Sequence, residues 1–281
     1  MPTFRTGRVS ELIADRPGLQ RVRVALAPDG PRSGQPDARA YVLTDLIGPV
    51  AVGDSVVCNT TAVELGLGTG GWHVVHWNLS RSSFSKPGPD HIMKLRYTSL
   101  QFDAGTDELA HPEAADQPLG GVPVVACSLH SQMAVVAATV ARLRPEARIA
   151  YVMTDGAALP LVMSDLVFNL RDAGVLCGTV TAGHAFGGDL EAVSAASALG
   201  LARHVLEADV IVAAMGPGVV GTGTALGTTS VEVAQLLDLT RRLDGVPVLA
   251  VRASDGDGRE RHRGSATTLR RPRGCARPAR W

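Results

Sequence analysis

The sequence predicts an α/β fold: an open parallel sheet with helices on both faces, preceded by a small antiparallel β-barrel or sandwich domain. Two observations carry this. After Gly120, short apolar runs alternate with stretches of helical periodicity, and before about residue 102 short strand-like segments follow one another with no clear helix between them. The boundaries fall at 1–102 for the β-rich domain and 120–264 for the α/β domain. Residues 103–119, acidic and rich in Ala and Pro, read as a linker, and 265–281 as an aberrant or disordered tail.

In the first domain the expected strands are Gly7–Ile13, Gln20–Leu26, Ala38–Leu46, Asp54–Asn59 and Trp72–Trp77, rich in Val, Leu and Tyr and bounded by Gly, Pro and Asp. Pro28–Pro36 reads as a hairpin loop. Ile92–Leu100 alternates, so that Met93, Leu95 and Tyr97 would share one strand face and Lys94, Arg96 and Thr98 the other. Lys94 and Arg96 are therefore candidate anion contacts, the duller reading being a solvated strand face.

In the second domain the expected strands are Val122–Leu129, Arg148–Thr154, Val175–Thr181, Val210–Met215 and Val246–Val251. Helices are expected at Gln132–Leu143, Leu161–Arg171, Leu190–Leu206 and Val231–Leu243. Continuous apolar strands joined by helical crossovers belong to a parallel sheet covered on both faces, and right-handed crossovers put every strand-to-helix loop at one edge. Ligands bind at that edge. Its loops bring His130, Asp155, His184 and Asp189 together as candidates for acid–base work or for a divalent metal. The fourth loop, Gly216–Thr229, holds Gly216, Gly218, Gly221, Thr222, Gly223, Thr224 and Thr228 ahead of a helical pattern, the composition of a phosphate or carboxylate cradle. It lacks the Lys of a P-loop and the spacing of an NAD or FAD fingerprint. The competing readings are structural: a helix cap at His130, a turn at Asp155-Gly156, a dipole-complementing charge at Asp189 and a tight Gly-rich turn.

Composition narrows the partners. Of 281 residues 45% are hydrophobic and 19% charged, and 27 Lys+Arg balance 27 Asp+Glu, so no overall field points to nucleic acid or to a membrane surface. Nucleic acid is not an expected partner; a small anionic ligand is, and a homo-oligomer stays open. No apolar run reaches the ~18–20 residues of a membrane span and the start M-P-T-F-R-T-G-R has no apolar core, so a cytoplasmic location is expected. Cys58, Cys127, Cys177 and Cys275 lack CxxC spacing, and the first three read as structural thiols in or beside apolar runs.

T-D-G-A-A-L-P (Thr154–Pro160), T-A-G-H-A-F-G-G-D-L-E-A-V (Thr181–Val193), M-G-P-G-V-V-G-T-G-T (Met215–Thr224) and H-I-M-K-L-R-Y-T-S-L-Q (His91–Gln101) resemble an uncharacterised bacterial family, domain of unknown function 3866, from about Gly7 to Gly264. The resemblance implies kinship and no activity. The reading from the residues is a hydrolase or group transferase acting on a small phosphorylated or carboxylated metabolite. The alternative is a non-catalytic metabolite- or nucleotide-binding sensor. Past Arg259–Gly264 the family resemblance implies a Ser-His-His-Thr segment, whereas this chain continues S-A-T-T-L-R-R. One codon choice for Ser265–Arg271, read one nucleotide earlier, encodes Val-Ser-His-His-Thr-Ala-Thr. Out-of-frame translation of the tail is the expectation, against a nucleic-acid-binding Arg-rich tail. Resequencing the gene through the Gly264 codon should return a shifted frame; an unbroken frame shared by close relatives would remove the idea.

Overall fold

The computed structural model describes residues 1–28 and 37–256, with the backbone of a strand at Gly264–Ser265. The chain forms two compact units, Met1–Asp103 and Ala104–Trp281. Most of the expected hairpin loop Pro28–Pro36, the tail beyond Ser265 and Cys275 lie outside the described residues.

The first unit is a closed barrel of β1 (Phe4–Arg16), β2 (Leu19–Leu26), β3 (Ala38–Leu43), β4 (Ser55–Asn59) and β5 (Trp72–Asn78), ordered β1-β2-β3-β5-β4. Period-two patterning builds it: Val22, Val24, Ala40, Val42, Val56, Cys58 and Val75 point inward and form its core. β1 is long enough to pair with β4 through Phe4–Arg8 and with β2 through Gly7–Arg16, and it bends with two register shifts. Gly7 sits where it turns from one partner to the other; a Cβ there would lie 2.6 Å from Val24 Cγ1. β1 to β3 form a meander, β4 returns beside β1, and β5 closes the barrel parallel to β3. This is the Greek-key order of a five-stranded OB-type barrel, with the short helix α1 (Thr44–Ile47) between β3 and β4. A second single-turn helix, α2 (Thr61–Glu64), joins β4 to β5.

The alternating strand expected at Ile92–Leu100 is not formed. Only β6 (Met93–Lys94) pairs, with β7 (Phe102–Asp103). Leu95 and Tyr97 take positive φ of 52° and 61°, a left-handed turn that no strand face survives. Lys94 is consequently 2% exposed, whereas Arg96 is exposed, so the two do not share a solvated face.

The second unit is a six-stranded parallel sheet of β8 (Pro123–Cys127), β9 (Ile149–Thr154), β10 (Gly178–Ala182), β11 (Leu190–Ala192), β12 (Val210–Met215) and β13 (Val246–Ala250), ordered β11-β10-β9-β12-β8-β13. Helices α4 (His130–Leu143) and α5 (Asp165–Asp172) cover one face, over Ile149, Tyr151, Met153 and Val212. Helices α6 (Ala195–His204) and α7 (Glu232–Arg242) cover the other, over Val124, Val152, Val180 and Ile211. β9 is buried along its whole length, which is why its sequence reads as an unbroken apolar run. A small antiparallel pair, β14 (Ala253–Ser254) and β15 (Gly264–Ser265), follows the sheet.

Two expectations change here. Leu190–Leu206 is not one helix: its first three residues form β11 and the helix begins at Ala195, capped by Ser194. The stretch expected as a linker belongs to the second unit from Ala104 onward. Asp107 accepts from the Glu191 peptide N–H at 2.7 Å, Glu108 accepts from Ser197 Oγ at 2.5 Å, and helix α3 (Pro112–Asp116) docks on α6. The docking runs through Gly200, whose Cβ would lie 2.7 Å from the carbonyl oxygens of Ala114 and Ala115. Gly200→Ala should therefore destabilise. The gain in helix propensity is about 1 kcal/mol, and wedging α3 off costs about 1–3 kcal/mol. A raised denaturation midpoint for the variant would show that α3 does not lie tightly on α6.

Candidate functional site

β9 and β12 are neighbours whose connections part. β9 leads through α5 to β10 on one side, β12 leads through α7 to β13 on the other, and the two helices lie on opposite faces. A crevice opens beyond the carboxyl ends of strands at such a divergence. Thr154, Asp155 and Gly156 leave β9 there, Met215 and Gly216 leave β12, and Glu232 opens α7.

These residues are in contact. Thr154 Oγ1 donates to Glu232 Oε2 at 2.8 Å, and the peptide N–H of His184, in the loop after β10, donates to Asp155 Oδ2 at 3.0 Å. Glycine makes room for both carboxylates. A Cβ on Gly156 would lie 2.8 Å from Glu232 Oε2, and one on Gly183, at φ +64°, would run into Asp155 Oδ2. Gly216 is likewise pressed on the Ala158 carbonyl, and the Ala158 N–H donates to Pro217 at 3.0 Å, locking the β9 and β12 loops together. Burial pushes the Glu232 carboxyl above its ordinary value; the Thr154 hydrogen bond opposes this and the nearby Asp155 charge adds to it. Asp155 is exposed. The pair thus holds one half-buried carboxyl that is harder to ionise and one in solvent.

The four residues expected to share the crevice separate. Asp155 and His184 are joined, through the backbone of His184. His130 belongs to an interior network: Nδ1 lies 3.1 Å from both Tyr151 Oη and the Met215 carbonyl, and Nε2 lies 2.7 Å from Ser164 Oγ. A carbonyl only accepts, so Nδ1 carries the proton and Ser164 donates to Nε2, while Ser164 Oγ caps α5 by accepting from Val167 N–H at 3.1 Å. Burial holds this imidazole below its ordinary pKa against the opposing Met215 bond, so it is neutral near pH 7. Asp189 is at the opposite end of β10. Its Oδ2 accepts from the Thr179 N–H and hydroxyl at 2.8 and 2.9 Å, and its Oδ1 from Arg171. It precedes β11, not a helix, and ties that strand to its neighbour.

The Gly216–Thr229 loop forms an arm exposed over residues 218–226, with Gly221 bridged to Thr228. Thr222 and Thr224 hydroxyls lie 3.0 Å apart, Thr222 donates to the Gly227 carbonyl at 3.2 Å, and Gly227 N–H donates to Thr224 at 3.0 Å. Thr228 caps the following turn, accepting from Ser230 N–H at 3.3 Å. Gly218 and Gly223 take φ of +94° and +86° with open space where a Cβ would stand. At the positive end of α7 the carboxylate present is the protein's own Glu232. Lys94 and Arg96 belong to the first unit. Among the described residues no three His, Cys, Asp or Glu side chains gather as a metal-ligating group. Cys58 and Cys127 are buried thiols pushed up to about 12 by desolvation, and Cys177 is exposed.

A family model matches residues 39–271, most of the chain. The chain belongs to the family described as Protein of unknown function (DUF3866). No curated protein and no solved structure matches it. Membership leaves the chemistry to this geometry, and within it Glu232, Thr154, Tyr151 and Ser164 were not picked out by sequence. Thr229-Ser-Val-Glu232 has capping-box spacing, which accounts for a glutamate locally and hides its partner 78 residues away. The sequence did offer a signal at Tyr151, whose hydroxyl is the one polar handle in the apolar run Ile149–Met153.

A carboxyl that is harder to ionise in the folded than in the unfolded chain stabilises below its unfolded pKa, and that contribution is lost as pH rises toward the folded value. Glu232→Gln should therefore gain stability relative to the wild type as pH rises from about 4.5, and the difference should level off once pH passes the folded value. Denaturant melts of both proteins at stepped pH test this. A difference that stays flat, or changes the other way, would mean that Glu232 is solvated.

Proposed function

We propose that the second unit is a small-molecule enzyme of the hydrolase or group-transferase class, working in the crevice between β9 and β12. The observation that supports this is the carboxyl pair at the topological divergence, Glu232 half-buried with its pKa pushed up by desolvation, Asp155 exposed and held by a peptide N–H. Two carboxyls in unlike environments divide the work of acid and base. In this reading Glu232 delivers a proton to the leaving group and Asp155 takes one from the attacking water or hydroxyl. His184 acts through its backbone, fixing Asp155. The neutral His130 holds the strand ends in register beneath the crevice.

The ligand is a small carboxylated or phosphorylated metabolite, carried by the Gly216–Thr229 arm, whose glycines let backbone N–H groups approach an anion. A carboxylated ligand is met by the backbone N–H groups of that arm. A phosphorylated one requires a cation to offset Asp155, and Mg²⁺ is suited to one or two carboxylates together with substrate phosphates.

Melting the protein against a panel of carboxylated and phosphorylated metabolites, with and without Mg²⁺, identifies ligands; incubation followed by NMR then reads conversion. Asp155→Asn and Glu232→Gln should each lower turnover by at least about a hundredfold while the chain stays folded. Binding without conversion would make the protein a sensor, and undiminished turnover in both variants would move the chemistry elsewhere.

A further inference from the structure

The barrel carries a second surface that has no part in that chemistry. Where Val22, Val24, Ala40, Val42 and Val75 point inward, the alternate residues of β2, β3 and β5 point out. Register places them as a compact grid: Arg21 faces Tyr41, Arg23 faces Arg39, Arg39 faces Trp72 and Tyr41 faces Val74. The side chains interleave. The Tyr41 and Trp72 rings are stacked, with centroids 4.6 Å apart and planes 18° from parallel. The Arg39 guanidinium lies 4.9 Å from the Trp72 centroid, and that of Arg21 lies 5.8 and 5.9 Å from Tyr41 and Trp72. Glu11 answers Arg23 at 2.8 Å, but Arg39 donates to the Gly70 carbonyl at 2.6 Å, a partner that brings no charge.

We propose that this face of β2, β3 and β5 binds single-stranded nucleic acid, the bases joining the Tyr41–Trp72 stack and Arg21, Arg23 and Arg39 meeting the phosphates. Stacked arenes interleaved with guanidiniums supply the two contacts an unpaired strand offers, ring faces and a phosphate at each step. The β2–β3 face is where OB-type barrels take extended ligands. Balanced total charge argues against nucleic acid only when charge is spread evenly, and here three arginines occupy neighbouring register positions of one face. A neutral glycan would also stack on the rings but would leave the arginines without a role.

The test uses the full chain and labelled single strands of about twelve nucleotides, dT and rU, within the site size of one such barrel. Fluorescence anisotropy should show saturable binding that weakens as salt rises. Trp72→Ala and Tyr41→Ala should each weaken it on the order of ten- to a hundredfold, and Trp72→Phe should retain most of it. Arg21→Ala and Arg39→Ala should each lower the slope of log affinity against log salt by about 0.7. If Trp72→Ala melts early, Arg39→Ala, on an exposed side chain, decides the matter. No binding of either strand in low salt, affinity unmoved by Trp72→Ala or Arg39→Ala in a folded chain, or tighter binding of a neutral oligosaccharide of similar length would each overturn the proposal.

Discussion

The polar chemistry of the second unit depends on one constraint: adjacent strands β9 and β12 send their connections to opposite faces of the sheet. Had both helices crossed on the same face, the two loops would cover each other. Because they part, Thr154, Asp155, Met215 and Gly216 emerge on neighbouring strands, and α7 starts close enough for Glu232 to reach back to Thr154. Gly156, Gly183 and Gly216 answer the crowding that follows, since at each a Cβ would strike the opposing loop or a carboxylate. Three glycines in three separate motifs thus share one cause.

His130 shows what holds the ends of those strands. A neutral imidazole that donates to the Met215 carbonyl and accepts from Ser164 joins α4, β12 and the cap of α5, and Tyr151 Oη adds the Ala214 and Met215 carbonyls at 3.2 Å. Leaving any of these buried groups unpaired would cost about 1–3 kcal/mol. The network is satisfied only by one tautomer, so it fixes a geometry as well as contributing stability. A base in this position would have to break a bond with every proton it took. That is the physical reason why the proposed acid–base work falls to Asp155 and Glu232, despite a histidine at the sheet edge.

The sheet was legible because strands buried on both faces leave a continuous apolar record: Val210–Met215 is read to the residue and β9 to within one. What the sequence hid was partnership across distance. β11 follows β10 after seven residues, 183–189, far less than the dozen or more a parallel crossover usually takes, so Leu190–Ala192 was read into the helix behind it. The loop manages this by bonding to itself, with Gly188 N–H donating to Thr181 Oγ1 and Gly187 N–H to Glu191. Asp189 likewise looked like a helix-start charge because its partners, Arg171 and Thr179, are not local in sequence. Lys94 and Arg96 alternated correctly, but two consecutive odd positions in left-handed backbone cancelled the alternation.

Charge gave the opposite lesson. Totals of 27 and 27 describe a surface only if the charges are mixed, and the register of β2 against β3 un-mixes them by setting Arg23 across from Arg39 and Arg21 across from Tyr41. Like charges directly opposed on a sheet are destabilising by some tenths of a kcal/mol, so a barrel under selection for stability alone would alternate signs there. The π faces of Tyr41 and Trp72 relieve part of that repulsion by taking the guanidiniums. Glu11 could have been met by a second acid facing Arg39, yet a neutral carbonyl stands there. Guanidiniums interleaved with aromatic rings are the chemistry that the proposed stacking anion would meet, and that separates this face from the carboxyl pair of the other unit.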